Sequence, residues 1–260
     1  MRRTWSGWTR RSRGWDDLLT LATTAPGEPE IFASLQGEGP SMGRPCAFVR
    51  LSRCNLACQW CDTAYTWRFE GDERPHRAGQ SFGRTANQVT LSEEDTAERI
   101  RRFGQDRLVV TGGEPLLQGP ALARMLALLP GIRIEIETNG TVAPAPALDP
   151  LVHQFNVSPK LRHSGNPAEL AQVPDRLRAW SADPRAFFKF VIATPEDVDE
   201  VLGLQEAYAI PRDRIYLMAE GIDPETLRQR EKWLAEICVL HRLTMSKRLH
   251  IDLFGDTRGT

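Results

Sequence analysis

The sequence has no long hydrophobic run, no excess of either charge and few cysteines. No apolar run in its 260 residues approaches the roughly 18 that cross a membrane. Its 33 basic and 34 acidic side chains leave a formal charge of −1, which does not favour a general binder of nucleic acid or anionic membrane. Its five cysteines are an odd number, in a chain longer than a disulfide-rich secreted scaffold. We therefore expect a globular protein of the reducing cytoplasm, without membrane or nucleic-acid partners.

The first 27 residues differ in composition from the rest. Five arginines precede the first acidic residue and alternate with tryptophans: Arg2, Arg3, Arg10, Arg11 and Arg13, with Trp5, Trp8 and Trp15. One interpretation is a basic arm with aromatic anchors that binds nucleic acid or a partner. The simpler interpretation is a disordered extension, or a start codon assigned too early. We predict that residues 1–27 lie outside the fold and that residues 28–260 form one domain.

Short apolar runs alternate with helical stretches along this domain. Seven runs predict strands: Ala47–Leu51, Leu108–Val110, Ile132–Ile136, Phe155–Val157, Phe187–Ile192, Ile215–Met218 and Leu249–Leu253. Leu116–Leu129 is apolar at helical spacing, and Ser92, Thr194 and Asp223 are candidate helix N-caps. Repeated strand–helix units imply parallel strands joined by right-handed crossovers. The pattern predicts an α/β fold with one parallel sheet or barrel.

Unusual residues follow the ends of five predicted strands. They are Cys54–Cys61, Thr111–Pro115, Glu137–Gly140, Ser158–Lys160 and Ala219–Gly221. Each segment alone could be a tight turn, since Gly, Pro, Asn and Ser suit turns. The carboxyl ends of parallel strands lie on one rim, however, where such folds carry ligand sites. Together the five segments predict a functional site at that rim.

Three cysteines occur within eight residues, as Cys54-x3-Cys58-x2-Cys61. Three thiolates around an iron–sulfur cluster leave one iron open to a ligand. Structural zinc is the competing interpretation, and it normally needs four protein ligands. Cys46 or His76 could supply a fourth, although neither belongs to a paired motif. The spacing favours an open cluster, and Cys46 and Cys238 are expected to be small buried residues.

Several motifs resemble those of known enzymes. CNLACQWC at 54–61 and TGGEP at 111–115 match the cysteine and glycine motifs of radical S-adenosylmethionine enzymes. Within that superfamily, the segments 31–39, 48–51, 61–67, 137–140 and 157–160 are similar to 7-carboxy-7-deazaguanine synthases. The tail Leu249–Gly259 resembles the closing strand and Gly-Asp-x-Arg-Gly end of that family. The resemblance covers about residues 28–260, with Ala219 standing where the family is expected to have proline.

The resemblance implies a fold and a reaction. The fold would be a radical S-adenosylmethionine core, an incomplete (β/α) barrel of about six parallel strands with added elements. The reaction would convert 6-carboxy-5,6,7,8-tetrahydropterin to 7-carboxy-7-deazaguanine with loss of ammonia, towards queuosine and related deazapurines. The implied cofactors are a 4Fe–4S cluster, S-adenosylmethionine and Mg²⁺. The implied partners are an electron donor, such as flavodoxin or ferredoxin, and a second copy of the chain in a homodimer.

The resemblance also assigns residues to roles. The cluster would be held by Cys54, Cys58 and Cys61, and magnesium by Thr63. The pterin would be bound by Leu35, Gln36, Gly37, Glu38, Arg50 and Thr111, with Arg50 on its carboxylate. S-adenosylmethionine would be bound by Gly113, Ser158, Pro159, Lys160, Met218, Ala219, Glu220 and Gly221. No catalytic residue is implied beyond the cluster and the radical that S-adenosylmethionine yields.

Two other functions share part of these features. A glycyl-radical activase would have the cysteines and TGGEP but would not need Leu35–Gly39 or Arg50. A zinc-stabilised module that binds RNA through the basic N-terminus would not need TGGEP. Arg68–Gln88 lacks periodicity and predicts a loop, either a solvated one or a lid over the pterin, with the solvated loop the simpler expectation.

Overall fold

The structure is a computed structural model that describes residues 18–260. Eleven strands of this part of the chain form one sheet: β1 Leu18–Ala25, β2 Glu28–Pro29, β3 Ile31–Leu35, β4 Pro45–Leu51, β5 Gln88–Ser92, β6 Arg107–Gly112, β7 Arg133–Thr138, β8 Gln154–Val157, β9 Ala186–Ile192, β10 Ile215–Ala219 and β11 Thr244–Ser246. Their order is β11-β10-β9-β8-β7-β6-β4-β1-β2, with β3 also paired to β4 and β5 to β1.

The run from β4 to β11 is the parallel part of the sheet. Each neighbouring pair along β4, β6, β7, β8, β9, β10 and β11 is parallel. The other strands pair antiparallel, so they are the added elements. Six predicted strands coincide with β4 and β6–β10, and the short β11 adds a seventh. The α/β class and the incomplete parallel barrel are confirmed, because the strand order does not return from β11 to its start.

α-Helices lie in every connection between neighbouring parallel strands except that from β7 to β8, and one more helix follows β11. In residues 18–260 they are α1 Arg84–Asn87, α2 Glu93–Arg101, α3 Gly119–Ala127, α4 Ala168–Ala171, α5 Pro174–Ala182, α6 Asp197–Ala207, α7 Pro224–His241 and α8 Leu249–Phe254. The predicted helix Leu116–Leu129 begins instead with a 3₁₀ turn over Pro115–Gln118 and continues as α3. None of the helices in this described part is long and apolar enough to cross a membrane.

Two of the three predicted caps are confirmed. The side chains of Ser92 and Asp223 accept hydrogen bonds from backbone N–H groups in the first turns of α2 and α7. Thr194 does not cap α6, which begins at Asp197. The carboxylate of Asp197 instead accepts the backbone N–H of Thr194, at 2.9 Å. The turn before α6 is therefore closed by the side chain of the first residue of the helix.

The predicted domain boundary at residue 28 is too late. Leu18–Ala25 forms β1, which pairs antiparallel with β5 from Leu18 to Ala22. Leu19 and Leu21 are fully buried in the core, so this strand belongs to the sheet. The basic and aromatic residues of the predicted arm, up to position 15, lie outside the described residues.

The last predicted strand is a helix. Leu249, Ile251 and Leu253 alternate along the sequence as in a strand, but the segment forms α8. Only Ile251 is buried, whereas Leu253 is 52% exposed, so one apolar side chain attaches the helix to the core. The alternation therefore does not reflect a buried sheet face.

The ends of β4 and β6 approach each other more closely than side chains allow. Gly112 has φ +142°, and a Cβ there would lie 2.0 Å from the carbonyl oxygen of Leu51. A Cβ on Gly113 would lie 2.1 Å from the carbonyl oxygen of Arg53. Only glycine fits both positions, which brings the TGGEP loop against the start of the cysteine loop.

We predict that Gly112→Ala lowers the free energy of unfolding by at least about 3 kcal/mol, because backbone strain and a clash with backbone act together. Gly131→Ala is the matched control, since Gly131 has φ +81° but no atom within 4 Å of the added carbon. That control should lose only about 1–2 kcal/mol. Urea unfolding of both variants, followed by circular dichroism under reducing conditions, makes the comparison. Equal losses would contradict the close approach.

Candidate functional site

A cavity of about 550 Å³ opens at the carboxyl ends of the parallel strands. Its wall contains every residue that the sequence predicts for the site except Pro159. The five segments that follow β4, β6, β7, β8 and β10 all contribute to it. The structure therefore brings the predicted residues together at one rim, while the role of each remains a prediction.

The cysteine loop begins at a strained residue. Arg53, between β4 and Cys54, has φ +79°, which is uncommon for a residue with a side chain. Backbone contacts fix it there: its N–H donates to the carbonyl of Thr66 at 2.7 Å, and its carbonyl accepts the N–H of Glu114 at 2.8 Å. The Glu114 carboxylate in turn accepts the N–H of Asn139 at 2.7 Å. The strand ends that carry the three motifs are thus held together.

The thiols of Cys54, Cys58 and Cys61 face this cavity and form no disulfide. Burial is the main cause that raises the pKa of Cys54 to about 12 and that of Cys61 to about 11. Burial likewise raises the pKa of Cys58, and Lys160 opposes it. Without a cationic ligand these groups are thiols, so a metal centre would supply the positive charge that makes them thiolates.

The donor set fits an open iron–sulfur cluster. The sequence candidates for a fourth ligand are engaged elsewhere: Cys46 is buried beside Phe32 and Phe48, and His76 Nε2 hydrogen-bonds the carbonyl of Cys61 at 2.8 Å. Cys238 is buried too, as predicted. In residues 18–260, no three His, Cys, Asp or Glu side chains are grouped closely enough to hold a single metal ion, whereas a 4Fe–4S cluster is larger and binds each thiolate to a different iron. Three cysteines on one loop, with the cavity beyond them, leave room for a further ligand on a cluster.

Glu38 lies between two buried cations. Its carboxylate accepts hydrogen bonds from Lys189 Nζ and, at 3.1 Å, from Arg248 Nε. Arg248 also donates to the carboxylate of Asp62 and the carbonyl of Gly221. Burial by itself would raise the pKa of Glu38, but Lys189 and Arg248 outweigh burial and hold that pKa well below its ordinary value. Glu38 is therefore an ionised carboxylate on the cavity wall.

Carboxylates of β7 orient the other predicted pterin residues. Gln36 Nε2 donates to Glu135 Oε1 at 2.8 Å, and Gln36 Oε1 accepts the backbone N–H of Glu38 at 3.2 Å. Thr111 Oγ1 donates to Glu137 Oε2 at 2.7 Å. Glu135 is fully buried, whereas Glu137 lines the cavity. These contacts determine which way the Gln36 amide and the Thr111 hydroxyl point.

Arg50 is oriented by a buried carboxylate. Its Nε donates to Glu30 Oε1 at 2.7 Å, and Tyr65 donates to Glu30 Oε2 at 2.8 Å. Burial would lower the pKa of Arg50, but Glu30 raises it further, so the guanidinium stays charged. Arg50 also lines the cavity, and its contact with Glu30 fixes the orientation in which its planar guanidinium faces that cavity.

The segments predicted for S-adenosylmethionine lie on the cavity wall beside the cysteines. Lys160 Nζ donates to Ser158 Oγ at 2.9 Å and lies 5.7 Å from the centre of the Trp60 ring. Glu220 is buried and pairs with Arg77, at 2.9 Å, and with Arg230.

The loop from Arg68 to Gln88 is not simply solvated. His76, Ala78, Gln80 and Phe82 from this loop line the cavity, and Phe69 and Arg68 are buried. The solvated-loop expectation is therefore wrong for Arg68 and Phe69, whereas Ala78 and Gln80 are exposed while also forming part of the wall. Thr63, on the other side of the cysteines, lies with its hydroxyl 3.5 Å from Cys61 Sγ.

Comparison with known proteins assigns this architecture to a family. Residues 49–158 match the radical SAM superfamily. A 7-carboxy-7-deazaguanine synthase from Pyrobaculum aerophilum is 37% identical over 232 residues, covering 88% of this chain and 95% of that protein. One from Hyperthermus butylicus is 38% identical, covering 85% and 90%. The chain belongs to the 7-carboxy-7-deazaguanine synthase family.

The solved structures agree with the synthase family. The crystal structure of QueE from Escherichia coli matches with a TM-score of 0.60 and 25% identity, covering 89% of this chain and 95% of that chain. The superfamily implies a 4Fe–4S cluster and S-adenosylmethionine, and the thiols described above fit the cluster. Because the chain belongs to the synthase family, the two other interpretations, a glycyl-radical activase and a zinc-stabilised RNA-binding module, no longer apply.

Several wall residues of this synthase-family protein were not predicted. Lys189 is a lone charge within the apolar strand β9, a signal that could have marked it, since a buried lysine needs a partner. Glu137 was predicted only as a member of the rim segment Glu137–Gly140, without a role of its own. His250 belongs to the segment predicted to be a strand and Arg248 directly precedes that segment, so no sequence pattern placed them at the cavity.

We predict that His250 makes stability depend on pH. Its ring packs against Gly37, where a Cβ would lie 2.3 Å from Nδ1. Burial lowers the pKa of His250, while the carboxylates of Glu38, Asp62 and Glu137 oppose burial and Arg248 adds to it. The folded state prefers the neutral ring. The stability that His250 contributes is therefore fully present above about pH 6.5 and is lost as pH falls through the pKa of His250 in the folded state.

The measurement is urea unfolding at pH 7 and pH 5. His250→Gln should lose less stability than the wild type between the two values. His241→Gln, at the end of α7 and away from the cavity, should follow the wild type. If both variants show the wild-type dependence, the coupling of His250 to folding is wrong.

Proposed function

We propose that this protein is a radical S-adenosylmethionine lyase that converts 6-carboxy-5,6,7,8-tetrahydropterin to 7-carboxy-7-deazaguanine with loss of ammonia. The step would belong to queuosine and 7-deazapurine biosynthesis. The supporting observation is that one cavity joins the three-cysteine loop to an ionised carboxylate, Glu38, and an oriented guanidinium, Arg50. Membership in the synthase family supports the same reaction.

Cys54, Cys58 and Cys61 would hold the cluster, which together with S-adenosylmethionine would supply the electron and the radical that this chemistry needs. The chain binds both cofactors and restricts access to them. Residues of the 68–88 loop and of α8 line the cavity, and we propose that they limit side reactions with water.

The pterin would be held at its two polar ends. Glu38 is ionised, so it accepts hydrogen bonds from the amino-pyrimidine edge. Arg50 binds the substrate carboxylate through the terminal nitrogens of its fork, because its Nε is taken by Glu30. Leu35, Gln36 and Gly37 also line the cavity, as does Thr111, which shares the Glu137 carboxylate with Gln36.

S-adenosylmethionine would lie between the glycine loop and the segments that follow β8 and β10. Gly113 allows backbone to approach the methionyl part closely. Ser158, Lys160 and Met218–Gly221 also line the cavity, where they would contact the cofactor. Pro159 is outside the cavity wall, so we propose that it shapes the turn rather than contacts the cofactor.

Four finer features belong to the same proposal. Thr63 would ligate Mg²⁺, which needs few protein ligands when substrate oxygens and waters complete its shell. The electron would come from a flavodoxin or a ferredoxin, and the enzyme would act as a homodimer. Free thiols on all five cysteines suit the reducing cytoplasm.

The proposed reaction predicts a specific product. Protein reconstituted anaerobically with iron and sulfide, then given S-adenosylmethionine, reductant, magnesium and carboxytetrahydropterin, should yield 7-carboxy-7-deazaguanine by mass spectrometry. Formation of 5′-deoxyadenosine without that product would show the radical chemistry but refute the substrate.

Arg50→Lys should raise KM for the pterin by about tenfold or more, because the charge stays and the two-pronged contact is lost. Arg133→Lys is the matched control, since Arg133 is exposed at the opposite end of the sheet. Steady-state kinetics over a pterin series separates KM from kcat. An unchanged KM in Arg50→Lys would show that another residue binds the substrate carboxylate.

Thr63 gives a test of magnesium. Thr63→Val keeps the shape of the side chain but removes the hydroxyl, so the Mg²⁺ concentration for half-maximal activity should rise by about tenfold or more. Thr63→Ser, which retains the hydroxyl, should stay close to the wild type. An unchanged magnesium response in Thr63→Val would exclude this residue as a ligand.

A further inference from the structure

A short segment after β8 clamps the cysteine loop from outside the motif. The backbone N–H of Gln59 donates to the carbonyl of Ser164 at 2.9 Å, and the N–H of Ala57 donates to Asn166 Oδ1 at 2.8 Å. Between them Gly165 has φ +78°, and a Cβ there would lie 2.3 Å from Gln59 Nε2. The loop on both sides of Cys58 is therefore held by residues more than a hundred positions away.

The orientation of the Asn166 amide follows from these contacts. Its oxygen accepts from the Ala57 N–H, which can only donate, so the NH₂ group must point the other way. Asn166 Nδ2 lies 3.3 Å from Cys58 Sγ, and it also lies 3.1 Å from Ser164 Oγ. With two donor hydrogens, the amide can satisfy both acceptors.

This is the shorter of two amide contacts to the loop thiols. Asn139 Nδ2 lies 3.9 Å from Cys54 Sγ and is also 2.9 Å from Asn55 Oδ1, its better acceptor. Cys58 thus has a directed N–H donor, and Lys160 adds positive charge nearby. A hydrogen bond to a cluster thiolate stabilises the reduced cluster, whose sulfurs carry more negative charge.

We propose that Asn166 is a positioning residue that raises the reduction potential of the cluster by directing its side-chain N–H at the Cys58 thiolate. The inference rests on the proposed cluster but not on the pterin. A higher reduction potential would make transfer of the first electron from the donor protein to the cluster more favourable. The same amide aligns the backbone at Ala57, so donor and thiolate stay in register.

The test is the midpoint potential of the reconstituted protein, titrated anaerobically and followed by electron paramagnetic resonance without pterin. Asn166→Ala should make reduction about tenfold less favourable, which is about 59 mV for a one-electron couple. Asn166→Asp keeps the acceptor for the Ala57 N–H but replaces the donor with negative charge, so its potential should fall further. Gln59→Ala is the matched control, because it removes an exposed amide from the same loop and should leave the potential unchanged.

Iron content is measured first on every sample. A wild-type potential in both Asn166 variants at full iron content would overturn the proposal, because the amide would then only brace the loop. Loss of the cluster from both variants would also overturn it, since Asn166→Asp retains the backbone contact and the amide would then serve assembly. Failure of the wild type itself to hold a 4Fe–4S cluster would instead refute the proposed function.

Discussion

The site depends on the backbone contact between the ends of β4 and β6. Neither Gly112 nor Gly113 could carry a side chain, because the carbonyls of Leu51 and Arg53 occupy that space. The contact places the glycine loop against the first residue of the cysteine loop and holds Arg53 in its strained conformation. Everything that follows β4 is positioned from there, since the three thiols begin one residue later.

Buried ion pairs determine the shape and charge of the cavity wall around Glu38. Glu38 and its two cations, Lys189 and Arg248, are each less than 10% exposed. Removing such charges from water is costly, so the arrangement persists only because each has a partner. The result is a carboxylate that stays ionised where a pterin would present hydrogen-bond donors. Arg50 is likewise held by a buried partner of opposite charge, Glu30. Its guanidinium would face the carboxylate of the proposed substrate.

Contacts between distant parts of the chain complete the cysteine site. The TGGEP carboxylate of Glu114 ties the end of β6 to that of β7, and Asn166 holds the middle of the cysteine loop. The three cysteines would supply the ligands, but segments that follow other strands supply the hydrogen bonds around them. Such surrounding contacts tune a metal centre as much as its ligands do.

The sequence by itself determined the α/β class, six of the parallel strands, the cysteine triad and a part of the cavity wall. These depend on local periodicity and on short motifs, which one segment contains complete. Only the tertiary structure decided that β1 joins the sheet and that 249–254 is helical, because burial selects between alternative local patterns. It also decided the partners of Glu38, which lie 151 and 210 residues away. No local pattern encodes such pairs, since a buried charge is matched in space and not along the chain.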